Sequence, residues 1–472
     1  MNRRTFIKAA GLTAAGAGLH LKYGGAMRAL TEESRSEPTG PLSGRRVLTF
    51  NSIIRVNQIE VTRTRNEGFD EYDRHSPENI KALRAAFEAG WPGAPMTWAL
   101  SWLALHDPRA NYVAARRLVR EFHDKYGDDV TFIPGAYFAN MYNSREQVDR
   151  DIHEGLAKVT EIMGRGHRPK SLLAGFLASA NQKYLAEQEG IHVCQGNIWS
   201  QFGIDNGDGD GAVSYPFYPS TEHFCKPAQG TKDFIDCANL DGWTMDFVTA
   251  RLLGIGKCQV GGKEVRYNSR LGVGPIETIG WYGPETGLRE MVATTAAHFD
   301  DGFKLNGFGW VTNCWEVSLV PEVKHLPVLT KWLEAIRSRW PSAECLTQGD
   351  FGNVWRKQYR DNSNLNYRFV QRGTGIGGSD PSLEIRWFMN SKFRLALLRD
   401  AEKNSPEQVI DFTRYDLPAK EPQDMGRNWS LLGEINQKQT RPRDKPRSLS
   451  ELSAEDQTLI RSVLPENMLA GS

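Results

Sequence analysis

The sequence predicts an α/β protein: an irregular seven-stranded parallel (β/α) barrel followed by a small antiparallel β domain. Two patterns carry that expectation. From about Arg45 to Trp340 short apolar strands alternate with amphipathic helices, seven times in succession, as βα units on a parallel sheet do. Beyond Cys345 the period shortens to two, and the apolar runs are joined by Gly, Asp and Pro turns, as in antiparallel strands. A third feature interrupts the alternation. Residues 192–247 open as a strand and then run for roughly forty residues with no period, longer than compact domains ordinarily allow unless the loop has work to do.

The first strand is VLTFNSII (47–54). Its helix has Ser76 as N-cap, Pro77 at the first position, apolar Ile80, Leu83 and Phe87, and Gly90 past its end. MTWALSW (96–102) is the second strand, and Tyr112, Ala115, Leu118, Val119 and Phe122 make the stripe of the helix after it. TFIPGAYF (131–138) is the third. Ser144 and Gln147 then propose a capping box, with Val148, Ile152, Leu156, Val159 and Met163 on one face. SLLAGF (171–176) and HVCQG (192–196) are the fourth and fifth strands, and a helix from Trp243 to Leu253 closes the long loop. GPIETI (274–279) is the sixth, followed by a helix from Pro284 on Leu288, Met291, Val292, Thr295 and Phe299. GFGWVTNCWEV (307–317) is the seventh, followed by a helix on Val328, Leu329, Trp332, Leu333 and Ile336 that stops at Pro341. An open doubly wound sheet competes with the barrel, but it would carry a Gly-rich phosphate loop after its first strand, and TFNS (49–52) is not one. The second domain has strands over 364–372, 382–390, 393–400 and 408–415. The resulting division is a leader over 1–30, a linker over 31–44, the barrel over 45–345, a sandwich-like β domain over 346–417, and an extended tail over 418–472 with one helix over 454–463.

Lys and Arg number 58 against 57 Asp and Glu, so no basic stripe points to nucleic acid and no charge excess points to a membrane surface. Asn2-Arg3-Arg4-Thr5-Phe6-Ile7-Lys8, followed by a short Ala/Gly-rich run to Leu21, resembles a twin-arginine export signal. That resemblance implies the export machinery as a partner and a periplasmic or extracellular destination. The six cysteines contain no C-x-x-C. In an oxidising compartment Cys225 and Cys237 are the expected pair, while Cys194 and Cys314 read as buried thiols.

The aperiodic stretch holds Trp199, Tyr215, Tyr218 and Trp243 among its aromatics, and Glu222, His223 and Asp246 among its polar groups. Flat rings and convergent acids suit a sugar cleft; an ordered structural loop is the plainer reading. Glu277 and Glu316 end the sixth and seventh strands, where barrels place their chemistry. We read these two as the acid pair of a glycoside hydrolase, with one carboxyl kept neutral beside Trp310 or Trp315, and Asp246 as a third acid. Salt bridges to Arg251 or Arg270 are the structural alternative. Asn197, Trp199, Tyr215, Tyr218, Glu222, His223, Trp243 and Asn313 are the expected substrate contacts. Asn206, Asp208 and Asp210 alternate as the first oxygen ligands of a calcium loop would, with Asp205 beside them as a further candidate ligand, but Phe217 and not Glu stands at the twelfth position; an ordinary Asp/Gly turn fits equally.

The phrases IHVCQGNIWSQ (191–201), YPFYPSTEHF (215–224) and GPIET (274–278) resemble a family of exported bacterial proteins of unknown function, in which a barrel domain precedes a smaller uncharacterised one. The resemblance spans about residues 45–415 and looks related to the barrels of polysaccharide deacetylases and glycoside hydrolase family 57. It implies an oligosaccharide or polysaccharide substrate. A deacetylase would carry paired Asp after the first strand and H-x-x-x-H; here stand Thr49, Phe50 and Asn51, and no two histidines are four apart. His106, His192 and His223 remain the histidines that could meet at a metal. The family 57 nucleophile would follow the fourth strand, where Ala174, Gly175 and Phe176 carry no acid. A non-catalytic glycan-binding barrel and a metal-dependent polysaccharide deacetylase are the alternative functions.

Overall fold

The computed structural model describes residues 40–61, 63, 66–164, 166–175, 177–197, 215–242, 257–260, 263–266, 279, 283–321, 325–373, 381–423 and 446–469. In chain order the strands up to the second domain are β1 (Arg46–Ile54), β2 (Asn57–Glu60), β3 (Asn66–Asp70), β4 (Thr97–Ser101), β5 (Asp129–Ile133), β6 (Leu172–Leu173), β7 (Val193–Asn197), β8 (Ala238–Asp241), β9 (Lys257–Val260), β10 (Lys263–Arg266), β11 (Gly309–Glu316) and β12 (Glu344–Leu346). The helices of nine residues or more are α1 (Pro77–Gly90), α2 (Ala110–Tyr126), α3 (Arg145–Met163), α4 (Ser179–Glu187), α5 (Pro284–Ala296), α6 (Leu326–Arg339), α7 (Gln348–Gln358) and α8 (Ala454–Val463).

One parallel sheet runs β11-β1-β4-β5, with β12 also on β1; a second runs β6-β7-β8. The Thr131 hydroxyl donates to the Ser171 carbonyl just before β6 (2.5 Å), which joins the two. Six of the seven expected parallel strands are present; the sixth, over 274–279, lies outside the described residues save Ile279. β8 and β12 are parallel strands the sequence reading lacked, as is the antiparallel hairpin β2–β3. β5 stops at Ile133 instead of running to 138, because Pro134 and a left-handed turn follow it.

Alternation on β1 and β11 sorts the two faces. Leu48, Phe50 and Ile54 join Ile80, Leu83, Phe87, Trp332 and Leu333 in the core between sheet and helices. Ser76 caps α1 and Ser144 caps α3 as expected, but the Gln147 side chain turns to Asp151 (2.7 Å), so no capping box forms there. The other face of the strands is layered. Val47, Val193 and Trp310 lie at the N-terminal floor. Polar residues follow: Thr49 accepts from the Trp310 indole (3.0 Å), and Asn51 donates to Gln348 (3.2 Å). Ile53, Ala99, Ile133, Leu173 and Cys314 form an apolar layer above them. α7 plugs the floor with Phe351 and Trp355, and it comes so close that a Cβ on Gly352 would stand 2.3 Å from Val193 Cγ1.

The second sheet is an antiparallel meander of β13 (Asn366–Arg372), β14 (Leu383–Asn390), β15 (Phe393–Asp400) and β16 (Gln408–Arg414). It is one sheet and not a sandwich. Tyr367, Phe369, Ile385 and Trp387 face the barrel floor, while Phe393, Leu395, Val409 and Phe412 face Leu452, Ile460 and Leu464 around α8. The described end of the tail is therefore a packed layer and not an extension. Each fully buried large apolar side chain contributes about 1.5–3 kcal/mol.

Candidate functional site at the strand ends

The C-terminal ends of β1 and β11 bring Arg55 and Glu316 together. Arg55 Nη1 and Nη2 donate to the two Glu316 oxygens (3.1 and 2.7 Å), and its Nε and Nη2 donate to Glu71 (2.7 and 3.2 Å). Arg55 is buried and Glu316 is 18% exposed, so one guanidinium fixes a sunken carboxylate and a partly accessible one. Burial would lift the Glu71 carboxyl, but the His75 hydrogen bond and the Arg55 charge outweigh it and hold it at about 2. His75, with Nε2 3.4 Å from Glu71, is pushed down by its own burial. The Arg55 backbone is fixed too, since its carbonyl accepts from the Tyr112 hydroxyl (3.0 Å).

The turn after β5 is strained towards this site. Gly135, Ala136 and Tyr137 have φ of 58°, 45° and 87°, and left-handed backbone at non-Gly residues costs on the order of 1–3 kcal/mol each. The result is that the Tyr137 hydroxyl meets Cys314 Sγ at 3.1 Å across the strand ends. Burial, with Cys314 and Glu316 nearby, raises Tyr137 well above its ordinary range, and burial pushes the Cys314 thiol up to about 12. A Cβ on Gly175 would stand 2.9 Å from the Tyr137 carbonyl, so the strand-four position that lacks an acid is covered by Tyr137. Beside β4, Glu60 on β2 accepts from Ser101 Oγ and from the Val56 and Leu103 amides (both 3.2 Å), and burial raises it to about 7.

Asn197, at the C-terminal end of β7, is fully buried; its amide nitrogen donates to Asn239 (2.9 Å) and its Oδ1 has no partner among the described residues. Glu277, Asp246, Trp199, Trp243, Asp205, Asp208 and Asp210 lie outside the described residues.

Several expected contacts sit elsewhere. Asn313 pairs with Phe50, on the helix-facing side of β11, whereas Thr312, Cys314 and Glu316 share the other side. Tyr215 donates to the Trp310 carbonyl (3.1 Å) at the opposite end of β11 from Glu316, about 20 Å away at strand rise. It packs on Phe308, Tyr367 and Phe369. Tyr218 is buried as well, its hydroxyl on the Tyr359 carbonyl (2.8 Å). These rings fill the seam between barrel floor and antiparallel sheet, and so are core and not cleft walls. His223 stacks on Phe224, and Glu222 binds Lys226 (2.5 Å) and the Ala419 amide (3.0 Å), tying the loop to the segment after β16. Trp315 faces the helices and Trp310 lies at the floor, so neither shelters the Glu316 carboxyl.

No metal centre assembles among the described residues. His106 stacks on Trp102, His192 is paired with Asp236 (3.1 Å) and His223 lies against Phe224. The calcium reading falls on 205–210, outside the description. The expected Cys225–Cys237 disulfide is not formed: the two belong to separate apolar clusters, Cys225 with Tyr215 and Phe217 and Cys237 with Cys194 and Ile235. Of the groups that build the strand-end cluster, Arg55, Glu60, Glu71, His75 and Tyr137 were missed. Glu71 and His75 stand four apart just before an N-cap, the one local signal available.

A parallel α/β scaffold with a charged cluster at its strand ends is the class that fold and site define. The chain belongs to the family described as Domain of Unknown Function with solved-structure structure (DUF3863), whose model matches residues 40–389; a second family of the same description (DUF3864) matches residues 394–467. A protein from Parabacteroides distasonis, described as a candidate glycoside hydrolase/deacetylase, is 49% identical with a TM-score of 0.83, over 90% of this chain and 99% of that one. A GH57 branching enzyme from Thermococcus kodakaraensis is 13% identical, TM-score 0.38, over 65% of this chain and 70% of that one. A candidate polysaccharide deacetylase from Pseudomonas aeruginosa is 12% identical, TM-score 0.43, over 67% and 92%. No curated protein matches this chain.

Proposed function

We propose that the protein is an exported carbohydrate-active hydrolase of the glycoside hydrolase type, working at the C-terminal ends of its parallel strands. The observation that carries this is Glu316: a partly accessible carboxylate at a strand end, oriented by an arginine that is itself fixed by Glu71. The 49% identical relative, described as a candidate glycoside hydrolase/deacetylase, supports the substrate class. Glycoside hydrolysis needs a second carboxyl to protonate the leaving oxygen. Glu277 is that acid in this reading, with Asp246 and Asn197 orienting sugar or water, and Trp199 and Trp243 supplying stacking faces. Incubating the protein with a panel of oligosaccharides and analysing products by mass spectrometry tests it. Glu316→Gln and Glu277→Gln should each lower the rate about 10²–10⁴-fold; cleavage at the unmodified rate in either would remove that residue from the pair.

The bidentate Arg55–Glu316 bond favours a second reading, a glycan-binding barrel without catalysis, because a carboxylate with both oxygens engaged is less free to act. Sugar bound and recovered intact would decide for it. Export completes the proposal: changing Arg3 and Arg4 together to Lys should hold full-length protein in the cytoplasm, and normal periplasmic accumulation would refute the twin-arginine route.

A further inference from the structure

Lys170, Asp350, Asn353, Arg356, Lys357 and Arg360 line an open depression of about 500 Å³, within the ~300–1,000 Å³ range of small-molecule sites. It lies on α7 and the turn after it, beside the chain entering β6, and so at the end of the sheet opposite Glu316. Four of the six side chains are cationic. Lys170 is bonded to Asp350 (2.8 Å) and Arg356 Nη2 to Asp236 (2.6 Å). Lys357 and Arg360 are exposed and form no ion pair among the described residues. Two exposed cations with no ion pair among the described residues thus stand on one concavity, beside two that are paired. Such groups bind a planar or tetrahedral oxyanion through charge-assisted hydrogen bonds. Among the described residues no aromatic ring lines the depression, so the stacking that a neutral sugar relies on is not supplied by them.

We propose that this depression is a second binding site, specific for an anionic carbohydrate: a sugar bearing a uronate carboxylate or a sulfate ester. The sugar part rests on the proposed function, whereas the oxyanion part rests on the cations alone. Titration calorimetry of the whole protein at low salt tests it, with a galacturonate tetramer, a neutral glucose tetramer and inorganic sulfate as probes. The uronate should bind more tightly than the neutral tetramer, sulfate should compete with it, and added salt should weaken it. The double substitution Lys357→Gln/Arg360→Gln should weaken binding at least about tenfold, while Lys81→Gln/Lys331→Gln, which removes the same charge elsewhere, should leave it unchanged. Binding of the neutral tetramer as tight as the uronate, binding of neither anion, or equal loss in both double variants would overturn the site. Hydrolysis of a neutral substrate, followed separately, reads the strand-end site: its absence with uronate binding intact would refute the proposed hydrolase and leave this site standing.

Discussion

At the C-terminal ends of the parallel strands, Arg55, Glu71 and Glu316 are bonded to one another. At the N-terminal end, beside β6, Lys357 on α7 and Arg360 in the turn after it have no ion-pair partner among the described residues. Burial explains the contrast. Arg55 and Glu71 are shielded from water, so each charge needs a partner within hydrogen-bond reach or the fold loses several kcal/mol. Lys357 and Arg360 are exposed, and water meets their demand at almost no cost. Charge at the first end is thus part of the structure, and charge at the second is available to a ligand.

The largest expected effect is at the buried end. Arg55→Met leaves Glu71 and Glu316 facing each other without their cation, and should cost about 3–5 kcal/mol in urea unfolding. A loss below about 1 kcal/mol would show that the network contributes as little as a surface pair and would erase the contrast.

Titration sharpens it next. Glu71 has its folded-state value held at about 2, below the ~4.3 of an unfolded chain. Its contribution is therefore present above about pH 4 and is lost as pH falls towards 2, on the order of 2–3 kcal/mol in all. Glu60 has the opposite sign: raised to about 7, it binds its proton more tightly when folded, so stability declines as pH rises from about 4 towards 7. Melting temperatures against pH should show both limbs. Glu71→Gln should flatten only the acid one, and an unchanged acid limb would mean that Glu71 is not coupled to Arg55.

At the floor the sensitive feature is packing. Gly352→Ala would drive a methyl to 2.3 Å from Val193 Cγ1, and overpacking of this kind costs about 1–3 kcal/mol. Unaltered stability would mean that α7 moves freely on β7.

How far these features could be read from sequence follows from their range. The stripes of α1, α2 and α6 are local and came out residue for residue, as did α8 over 454–463 and, to within two residues at each end, the four strands β13–β16. Parity places Glu316 on the same side of β11 as Thr312 and Cys314, and the same parity places Asn313 on the helix face. The aromatics of 215–224 were misplaced because nothing local says that an antiparallel sheet more than a hundred residues later will cover them. Arg55 was passed over because its partners are 16 and 261 residues away, a separation that no periodicity encodes.

The smallest effect belongs to the exposed cations. Lys357→Gln and Arg360→Gln each remove an exposed charge that has no ion pair among the described residues, so each should change unfolding free energy by less than about 0.5 kcal/mol. Lys170→Gln breaks the exposed bond to Asp350 and should still cost under about 1 kcal/mol, since both partners remain solvated and salt screens them. Chemical denaturation of the three variants beside Arg55→Met gives the comparison directly. If Lys357→Gln or Arg360→Gln lost 2 kcal/mol or more, that side chain would be holding the floor of the sheet together in the way Arg55 holds the strand ends. It would then not be available to bind an anion. If both are neutral, the floor cations are unused by the fold, and any role they have must be met by something that comes from outside the chain.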